Sequence, residues 1–177
     1  MRKQKTLVVL FAIAIGIVSC APSNENVVLR NPDNEALVKK YMEAIVSGDT
    51  SNLEGFLADN YQSLGPNFND SINKTRTVED IKASWRSRWR SVEYKRYTML
   101  SATNTEPGVE GDWVLDWAAV TIHSKDKTPS FTINWHGAFR VKDGKIDREI
   151  DFFNEADIYK QIGFTFVPPA DSAAAVK

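Results

Sequence analysis

Residues 131–153 decide the fold and read FTINWHGAFRV (131–141), KDGK (142–145) and IDREIDFF (146–153). Asp143-Gly144 between two runs of alternating apolar and polar residues is typical of a β-hairpin with a two-residue type I′ turn. Counting back from that turn sets the register of the two strands. It predicts these facing pairs: Val141 with Ile146, Arg140 with Asp147, Phe139 with Arg148, and His136 with Asp151.

The predicted hairpin has one apolar face and one polar face, because side chains alternate along each strand. The apolar face holds Phe131, Ile133, Trp135, Phe139, Val141, Ile146, Ile150 and Phe152. The polar face holds Asn134, His136, Arg140, Asp147, Glu149 and Asp151. Which face looks into the domain determines what the protein can do.

Three helices are predicted before the hairpin. Asn31-Pro32 is typical of a capped helix start, and Gly48 of its end. Asp49 is the predicted cap of a short second helix, and Thr77 that of a third. The apolar residues at helical spacing are Leu37, Val38, Tyr41, Met42 and Ile45, then Leu53, Phe56 and Leu57, then Val78, Ile81, Trp85, Trp89 and Val92.

Strands rich in aromatic and β-branched residues follow the helices. They are predicted at 94–103, 113–122, 130–141 and 146–153, after a short strand or turn at 61–64. Asn154 is the expected cap of a last short helix that stops at Gly163. Helices followed by an antiparallel meander predict an α+β domain with the helices packed on one face of the sheet.

This order of elements resembles the nuclear transport factor 2-like superfamily, which includes SnoaL-like polyketide cyclases, ketosteroid isomerases and scytalone dehydratases. The resemblance is carried by SGDTSNLEGFLADNY at 47–61 and FRVKDGKIDREIDFFNEADIYKQIG at 139–163. It implies a cone-shaped, cystatin-like α+β barrel over residues 31–166, with N-terminal helices on a strongly curved antiparallel sheet. In that family the concave sheet face lines a pocket and the convex face packs on a second subunit.

The resemblance also implies a candidate catalytic pair. Asp151 lies seven residues after Gly144, which matches the general base of SnoaL-like cyclases, and His136 approximately matches the nearby histidine. A simple hairpin over 123–129 would put Asp116 beside His136, to within one residue. The remaining pocket candidates are Trp117, Tyr61, Trp85, Trp89, Asn134, Glu149 and Phe153, and the expected dimer face is Ile133, Trp135, Ile150 and Phe152.

Simple amphipathicity gives the opposite interpretation of the same hairpin. The apolar face would then be core, and His136 and Asp151 would form a solvated ion pair worth less than about 1 kcal/mol. Even a buried pair of this kind often serves only mutual hydrogen bonding. The donor acid of ketosteroid isomerases falls near Gly137 or Ala138 here, so the resemblance does not extend to that donor.

The N-terminal residues read as a targeting signal. Arg2, Lys3 and Lys5 precede an apolar run over 7–18, which is too short to span a bilayer. The run ends in Ile-Val-Ser-Cys, which resembles a bacterial lipobox with Cys20 as the acylated residue. We therefore expect a lipoprotein signal peptide at 1–19 and a tether at 20–30, while an ordinary secretory signal or an uncleaved anchor is the alternative.

The lipobox resemblance also implies a location. Ala21, rather than Asp, follows the cysteine and points to a lipid-anchored protein of the bacterial cell envelope, at the outer membrane. The chain end at 167–177 (VPPADSAAAVK) is expected to be a flexible tail.

Composition argues against several classes of function. Lys and Arg total 22 against 23 acids, so no net positive field attracts nucleic acid. The segment KASWRSRWRSVEYKR at 82–96 mixes basic and aromatic residues, but helical spacing separates the two sets into a solvated face and a packed one. One cysteine and two histidines leave a zinc site unsupported, and no motif indicates a cofactor.

Three functions remain open on the sequence. The first is a membrane-anchored domain that binds a small, mainly apolar ligand in a cone-shaped pocket. The second is an enzyme of the SnoaL or isomerase type, in which Asp151 is the general base and His136 assists it. The third is a protein-interaction module that uses the convex sheet face.

Overall fold

The computed structural model describes residues 30–167. The signal peptide, Cys20, the tether up to residue 29 and the tail from residue 168 are sequence predictions that lie outside the described residues. The elements are α1 (Pro32–Ser47), α2 (Leu53–Phe56), β1 (Leu57–Leu64), β2 (Ser71–Asn73), α3 (Lys74–Ser87), β3 (Trp89–Asn104), β4 (Gly111–Ser124), β5 (Phe131–Lys142), β6 (Lys145–Phe152) and α4 (Glu155–Gln161).

The strands form one six-stranded curved sheet in the order β2-β1-β6-β5-β4-β3. The predicted meander from β3 to β6 is confirmed, and every pair within it is antiparallel. The parallel pairing of β1 with β6 extends the sheet beyond that prediction. The α+β class with helices on one sheet face is therefore confirmed. Within residues 30–167, no helix is both long enough and apolar enough to cross a membrane.

The first and last helices begin where their capping residues predict. The Asn31 side chain accepts a hydrogen bond from the backbone N–H of Asn34, and Gly48 ends α1 with a φ of 78°. Asn154 caps α4 by accepting from the N–H of Asp157. The starts of α1 and α4 are thus set locally by a polar cap, and the end of α1 by a glycine that tolerates a left-handed conformation.

The third helix differs from its prediction at both ends. It begins at Lys74, capped by Asn73, about one turn before the predicted cap at Thr77. It ends at Ser87, and the last two residues of the predicted helical stripe, Trp89 and Val92, belong to β3. Aromatic and β-branched residues fit a strand as well as a helix, and here the long ladder with β4 decides between them.

The register of the β5–β6 hairpin follows the prediction only next to the turn. Val141 faces Ile146 as expected, but one extra residue in β6 then shifts the ladder, so that Phe139 faces Glu149 and His136 faces Phe152. This is a β-bulge, and it reverses the face of every later residue in β6 relative to β5. At the bulge, the predicted contact is present: Arg140 donates two hydrogen bonds of 2.8 and 2.9 Å to the buried Asp147 carboxylate.

The bulge decides which side chains look inward. Ile133, Trp135 and Phe139 of β5 are buried in the core against α1 and β4, together with Val114 and Tyr41. Ile133 and Trp135 are each more than nine-tenths buried. The prediction that placed them on an uncovered dimer face is therefore wrong. On β6, Glu149 and Asp151 share this inner face, whereas Ile150 and Phe152 lie on the outer one.

Candidate functional site

A cavity of about 470 Å³ lies between the inner sheet face and helices α1, α3 and α4. Most of its lining is apolar and includes Met42, Ile81, Trp89, Val120, Phe131 and Phe153. The volume lies within the usual range for pockets that enclose a small organic molecule. Two carboxylic acids, Glu149 and Asp151, line the same cavity.

Glu149 is held by two tyrosines. It is 6% exposed, and its Oε2 accepts hydrogen bonds from the Tyr41 hydroxyl at 3.1 Å and the Tyr61 hydroxyl at 2.5 Å. Tyr41 projects from α1 and Tyr61 from β1, so side chains from a helix and from the sheet meet at this carboxyl. Burial beside the Glu149 carboxylate raises the pKa of both tyrosines, which therefore stay neutral donors.

Asp151 lies two residues further along β6 and points to the same side of the sheet. Its Oδ1 accepts a hydrogen bond of 2.9 Å from the indole Nε1 of Trp135. The indole reaches it by lying across Gly137, the Cα partner of Asp151 on β5. A Cβ at position 137 would stand 2.4 Å from the Trp135 ring and 2.8 Å from Phe139, so only glycine leaves room for this arrangement.

The two acids have their ionised forms disfavoured. Burial, and then the negative charge of Glu149, raise the pKa of Asp151 well above its ordinary value, and the Trp135 hydrogen bond offsets this only in part. Burial raises the pKa of Glu149 too, against the opposing effect of the two tyrosines. Close carboxyls of this kind titrate as a pair rather than singly. Among residues 30–167, no lysine or arginine forms an ion pair with either acid.

Asp116 on β4 is also fully buried, but its surroundings differ. Arg96 donates to both of its oxygens, with Nε–Oδ1 and Nη2–Oδ2 distances of 2.9 Å, and the Tyr94 hydroxyl donates to Oδ2 at 2.7 Å. Asp116 faces Gly137 on β5 rather than His136, one residue away from the predicted position. It is not part of the cavity lining, although the Tyr94 ring is.

His136 lies on the outer face of the sheet, away from Asp151. Its ring stacks on Trp117 with centroids 4.3 Å apart and lies 5.7 Å from the Phe152 ring. Burial lowers the pKa of His136, and the Asp116 charge works against that shift. The predicted His136–Asp151 pair is therefore not formed, because the bulge turns Asp151 inward while His136 stays outside.

The other pocket candidates divide between the cavity and its surroundings. Trp89, Glu149 and Phe153 line the cavity, and Tyr61 reaches it through its bond to Glu149. Trp117 and Asn134 lie on the outer face, because they share the side of His136 in the β4–β5 ladder. Trp85 packs its ring over Gly48 and donates to the Ile45 carbonyl at 2.7 Å, outside the lining.

Sequence reasoning missed three contributors to the site. Trp135 and Tyr41 were expected to be purely apolar contacts, yet each donates a hydrogen bond to an acid. Thr77 lines the cavity with a buried Oγ1 that has no partner among the described residues. Buried tryptophan and tyrosine usually need a hydrogen-bond partner, which is the signal that could have linked them to the acids. No cluster of metal-ligating side chains occurs within residues 30–167.

Solved structures with the same fold come from several kinds of protein. An LEH-like epoxide hydrolase from M. tuberculosis is 17% identical, with a TM-score of 0.59 over 74% of this chain and 90% of the other. A candidate SnoaL-like polyketide cyclase from Shewanella putrefaciens CN-32 is 12% identical, with a TM-score of 0.60 over 76% and 99%. A protein of ketosteroid isomerase-like fold from Catenulispora acidiphila DSM 44928, in complex with trimethylamine, is 12% identical, with a TM-score of 0.58 over 75% and 97%.

At such identities these structures show the fold alone, because the same fold carries many unrelated activities. No curated protein sequence matches this chain. The family model of the SnoaL-like domain does match, over residues 38–149, which is more than half of the chain. That segment runs from Val38 within α1 to Glu149 within β6. The chain therefore belongs to the SnoaL-like domain family of the nuclear transport factor 2-like superfamily.

Proposed function

We propose that the domain binds a compact, mainly apolar small molecule in the cavity and exchanges a proton with it through Asp151. The observation that carries this proposal is the pair of acids, Glu149 and Asp151, in an apolar cavity where the described side chains bonded to them are all neutral. Two close carboxyls with raised pKa values, here the buried Glu149 and the half-buried Asp151, can hold a proton between them and either give it up or accept another.

The geometry assigns different roles to the two acids. Glu149 is occupied by Tyr41 and Tyr61, which fix its orientation. Asp151 has one oxygen held by Trp135, and no hydrogen bond to its Oδ2 is formed within residues 30–167. A general acid or base must come within hydrogen-bond reach of the reacting proton, so Asp151 is the group that acts on the bound molecule. Abstraction of a proton from carbon next to a carbonyl fits these groups and the neighbouring isomerase-like fold.

Proton exchange into a simple ketone tests this role. The α-protons of cyclohexanone, followed by NMR in D₂O, are expected to exchange faster with the protein than with buffer alone. Asp151→Asn should lower the protein-dependent rate by about 100-fold, the usual scale of a lost general base. Asp59→Asn, an exposed acid outside the cavity, is the matched control and should leave the rate unchanged. Equal rates for wild type and Asp151→Asn would refute the role of Asp151.

We also propose that Cys20 is the lipid-anchored first residue of the mature protein, held at the outer membrane of a bacterial cell envelope. The support is the basic start, the apolar run and the Ile-Val-Ser-Cys sequence at 17–20. Several acyl chains would make the anchoring stable. Cys20→Ala should move the protein from the membrane to the soluble fraction or stop its processing. Wild-type protein that is entirely soluble, or that retains residues 1–19, would contradict the anchor.

A further part of the proposal is a homodimer through the outer sheet face, now defined by Trp117, His136, Ile150 and Phe152. Phe152 is 53% exposed at the end of the aromatic stack on this face. The His136 ring stacks on Trp117 and on Phe152, so a second copy docked on this face would cover a continuous aromatic surface. A symmetric interface on this face is also what would make the domain an interaction module.

Light scattering on a chain that starts at Asn26 tests the dimer. The wild type should run as a dimer and Phe152→Glu as a monomer, because a buried charge would face its own symmetry mate. Tyr159→Glu on α4 changes an equally exposed aromatic away from this face and should remain dimeric. A wild-type monomer at high micromolar concentration would refute the dimer without affecting the cavity proposal.

A further inference from the structure

We infer that the molecule bound in the cavity is an organic cation, an amine or ammonium centre carried on an apolar body. This rests on the proposed function, because it names the chemical class of the ligand in the same cavity. Two observations carry it: the excess of acids over bases in the cavity lining, and the aromatic walls.

Acids outnumber bases in the lining of the cavity. Among the described residues, the lining contains the four acids Asp80, Glu149, Asp151 and Glu155, against the one basic side chain of Arg88. Arg88 bonds to Ser84 rather than to an acid, and no lysine lines the cavity in the described part of the chain. The two rim acids have other partners.

Those partners are outside the cavity. Asp80 forms an ion pair with Arg76 at 2.9 Å, and Glu155 accepts from the side-chain amide of Asn67. The two acids deeper in the cavity, Glu149 and Asp151, meet only neutral hydroxyl and indole donors. A buried carboxylate is stable when a cation matches it, so a positively charged ligand is the group that would complete this site.

Aromatic walls favour the same class of ligand. Tyr94, Trp135 and Phe153 line the cavity together with both acids. The negative faces of aromatic rings attract cations, most strongly where water is excluded. The protein already contains one such arrangement: the Arg96 guanidinium lies 5.1 Å from the Tyr94 ring centroid and is bonded to the buried Asp116. The cavity repeats this combination of acids with aromatic rings, but no cation of the described residues is bonded to Glu149 or Asp151.

Three probes of one shape and three charges test the inference. They are cyclohexylamine, which is a cation at neutral pH, cyclohexanol, which is neutral, and cyclohexanecarboxylate, which is an anion. Their affinities for the purified full chain are measured by isothermal titration calorimetry at pH 7. We expect the amine to bind at least about tenfold more tightly than the alcohol, and the carboxylate not to bind.

Variants connect that preference to the acids. Asp151→Asn and Glu149→Gln keep the shape of each side chain and one acceptor oxygen while removing its charge. Each should bring the amine to within about twofold of the alcohol, because the cation loses its carboxylate. Asp59→Asn, outside the cavity, should keep the tenfold preference. If a variant loses affinity for all three probes, its unfolding curve shows whether the fold is intact, and the other variant then decides.

Proton release gives a second readout. A cation stabilises the ionised form of the acid pair, so binding at pH 7 should release a proton to the buffer. The heat of binding should therefore depend on the ionisation enthalpy of the buffer for the amine but not for the alcohol. Cyclohexyltrimethylammonium, which has no proton of its own to lose, should bind more tightly as the pH rises through the titration of the pair.

The outcomes separate this inference from the proposed function. Alcohol binding equal to or tighter than amine binding overturns the cation and leaves the small-molecule cavity standing. Amine preference that persists in both Asp151→Asn and Glu149→Gln also overturns it. Absence of binding by all three probes overturns the inference and the proposed cavity function together.

Discussion

Two buried acid sites lie on the inner face of the same sheet, and they are built differently. At Asp116 the charge is matched by a two-point bond from Arg96 and one more from Tyr94. Within residues 30–167, Glu149 and Asp151 are bonded by hydroxyl and indole groups only. The first site is complete within the chain. The second lines a cavity and lacks a counter-charge, which is the pattern expected where a protein acts on something it binds.

This difference has a thermodynamic meaning. A buried ion pair is not itself strong evidence of stabilisation, but removing one partner leaves a charge that water no longer reaches. An acid buried without a cation already carries that cost in the folded protein. Neutralising the two kinds of acid should therefore change stability in opposite directions, and the predictions below use that contrast.

The largest expected effect is at Arg96. Arg96→Met leaves the fully buried Asp116 without its counter-charge and should lower the free energy of unfolding by about 3–5 kcal/mol. Urea denaturation at pH 7 measures it. Arg76→Met, which removes an exposed i, i+4 ion pair with Asp80, is the control and should cost less than about 0.5 kcal/mol. If Arg96→Met lowers the free energy of unfolding by less than about 1 kcal/mol, the proposed difference between the two acid sites is refuted.

The reverse effect is expected at Asp151. Asp151→Asn should raise the free energy of unfolding at pH 7 by about 1–3 kcal/mol, because it removes the cost of a half-buried acid that no cation of the described residues matches. The sign of the pH dependence follows from the raised pKa of Asp151 in the folded protein. Between the ordinary pKa near 4 and the raised one, the folded chain holds more protons than the unfolded chain, so stability falls as pH rises.

Unfolding curves of wild type and Asp151→Asn from pH 4 to pH 8 measure this. The wild type should lose stability over that range relative to the variant, and the two curves should converge at the acidic end. Asp116→Asn is the matched comparison at the other site and should destabilise the fold. If Asp151→Asn destabilises it as much as Asp116→Asn does, the contrast between the sites is refuted.

A smaller effect is expected from the indole donor. Trp135→Phe removes the hydrogen bond to Asp151 and should cost about 1 kcal/mol of stability. That bond favours the ionised carboxylate, so its loss should raise the pKa of Asp151 further. The carboxyl carbon of Asp151, followed by NMR, reports the shift. Trp113→Phe is the control, because the Trp113 indole donates to the Val109 carbonyl and should not move this pKa.

The smallest effect is expected at His136. His136→Gln should leave the binding of cavity ligands unchanged, because the ring stacks on Trp117 at the outer face. In the wild type, burial should keep the pKa of His136 below its ordinary value, and Asp151→Asn should not change it. Proton NMR of the ring measures both. A shift of the His136 pKa in Asp151→Asn would mean that the two residues are coupled after all.

The general fold could be predicted because its signals are local. Asp143 and Gly144 take the positive φ values, 51° and 71°, that the predicted turn requires. The caps at Asn31 and Asn154 set two helices at the expected residues. The parallel pairing of β1 with β6 was not predicted, because it joins strands about 90 residues apart without a local turn to mark it.

The site could be predicted only in part, because it depends on one extra residue. The bulge follows Ile146, where no glycine or proline marks an irregular strand. A shift of one residue exchanges the two faces of a strand. Glu149 and Asp151 therefore lie on the inner face, as the resemblance implied, whereas His136 lies on the outer face. The links from Trp135 and Tyr41 to the acids then follow from packing, which no spacing in the sequence shows.

An NMR titration of the side-chain carboxyl carbons of Glu149 and Asp151 in the wild-type protein tests most directly whether the cavity holds a shared proton. The two acids should titrate together, and the pKa of Asp151 should lie well above its ordinary value near 4. Glu149→Gln should then lower the pKa of Asp151, because the neighbouring negative charge is gone. If both carboxyls ionise independently between about pH 3 and pH 5, as exposed acids do, the cavity holds no shared proton and the account is wrong.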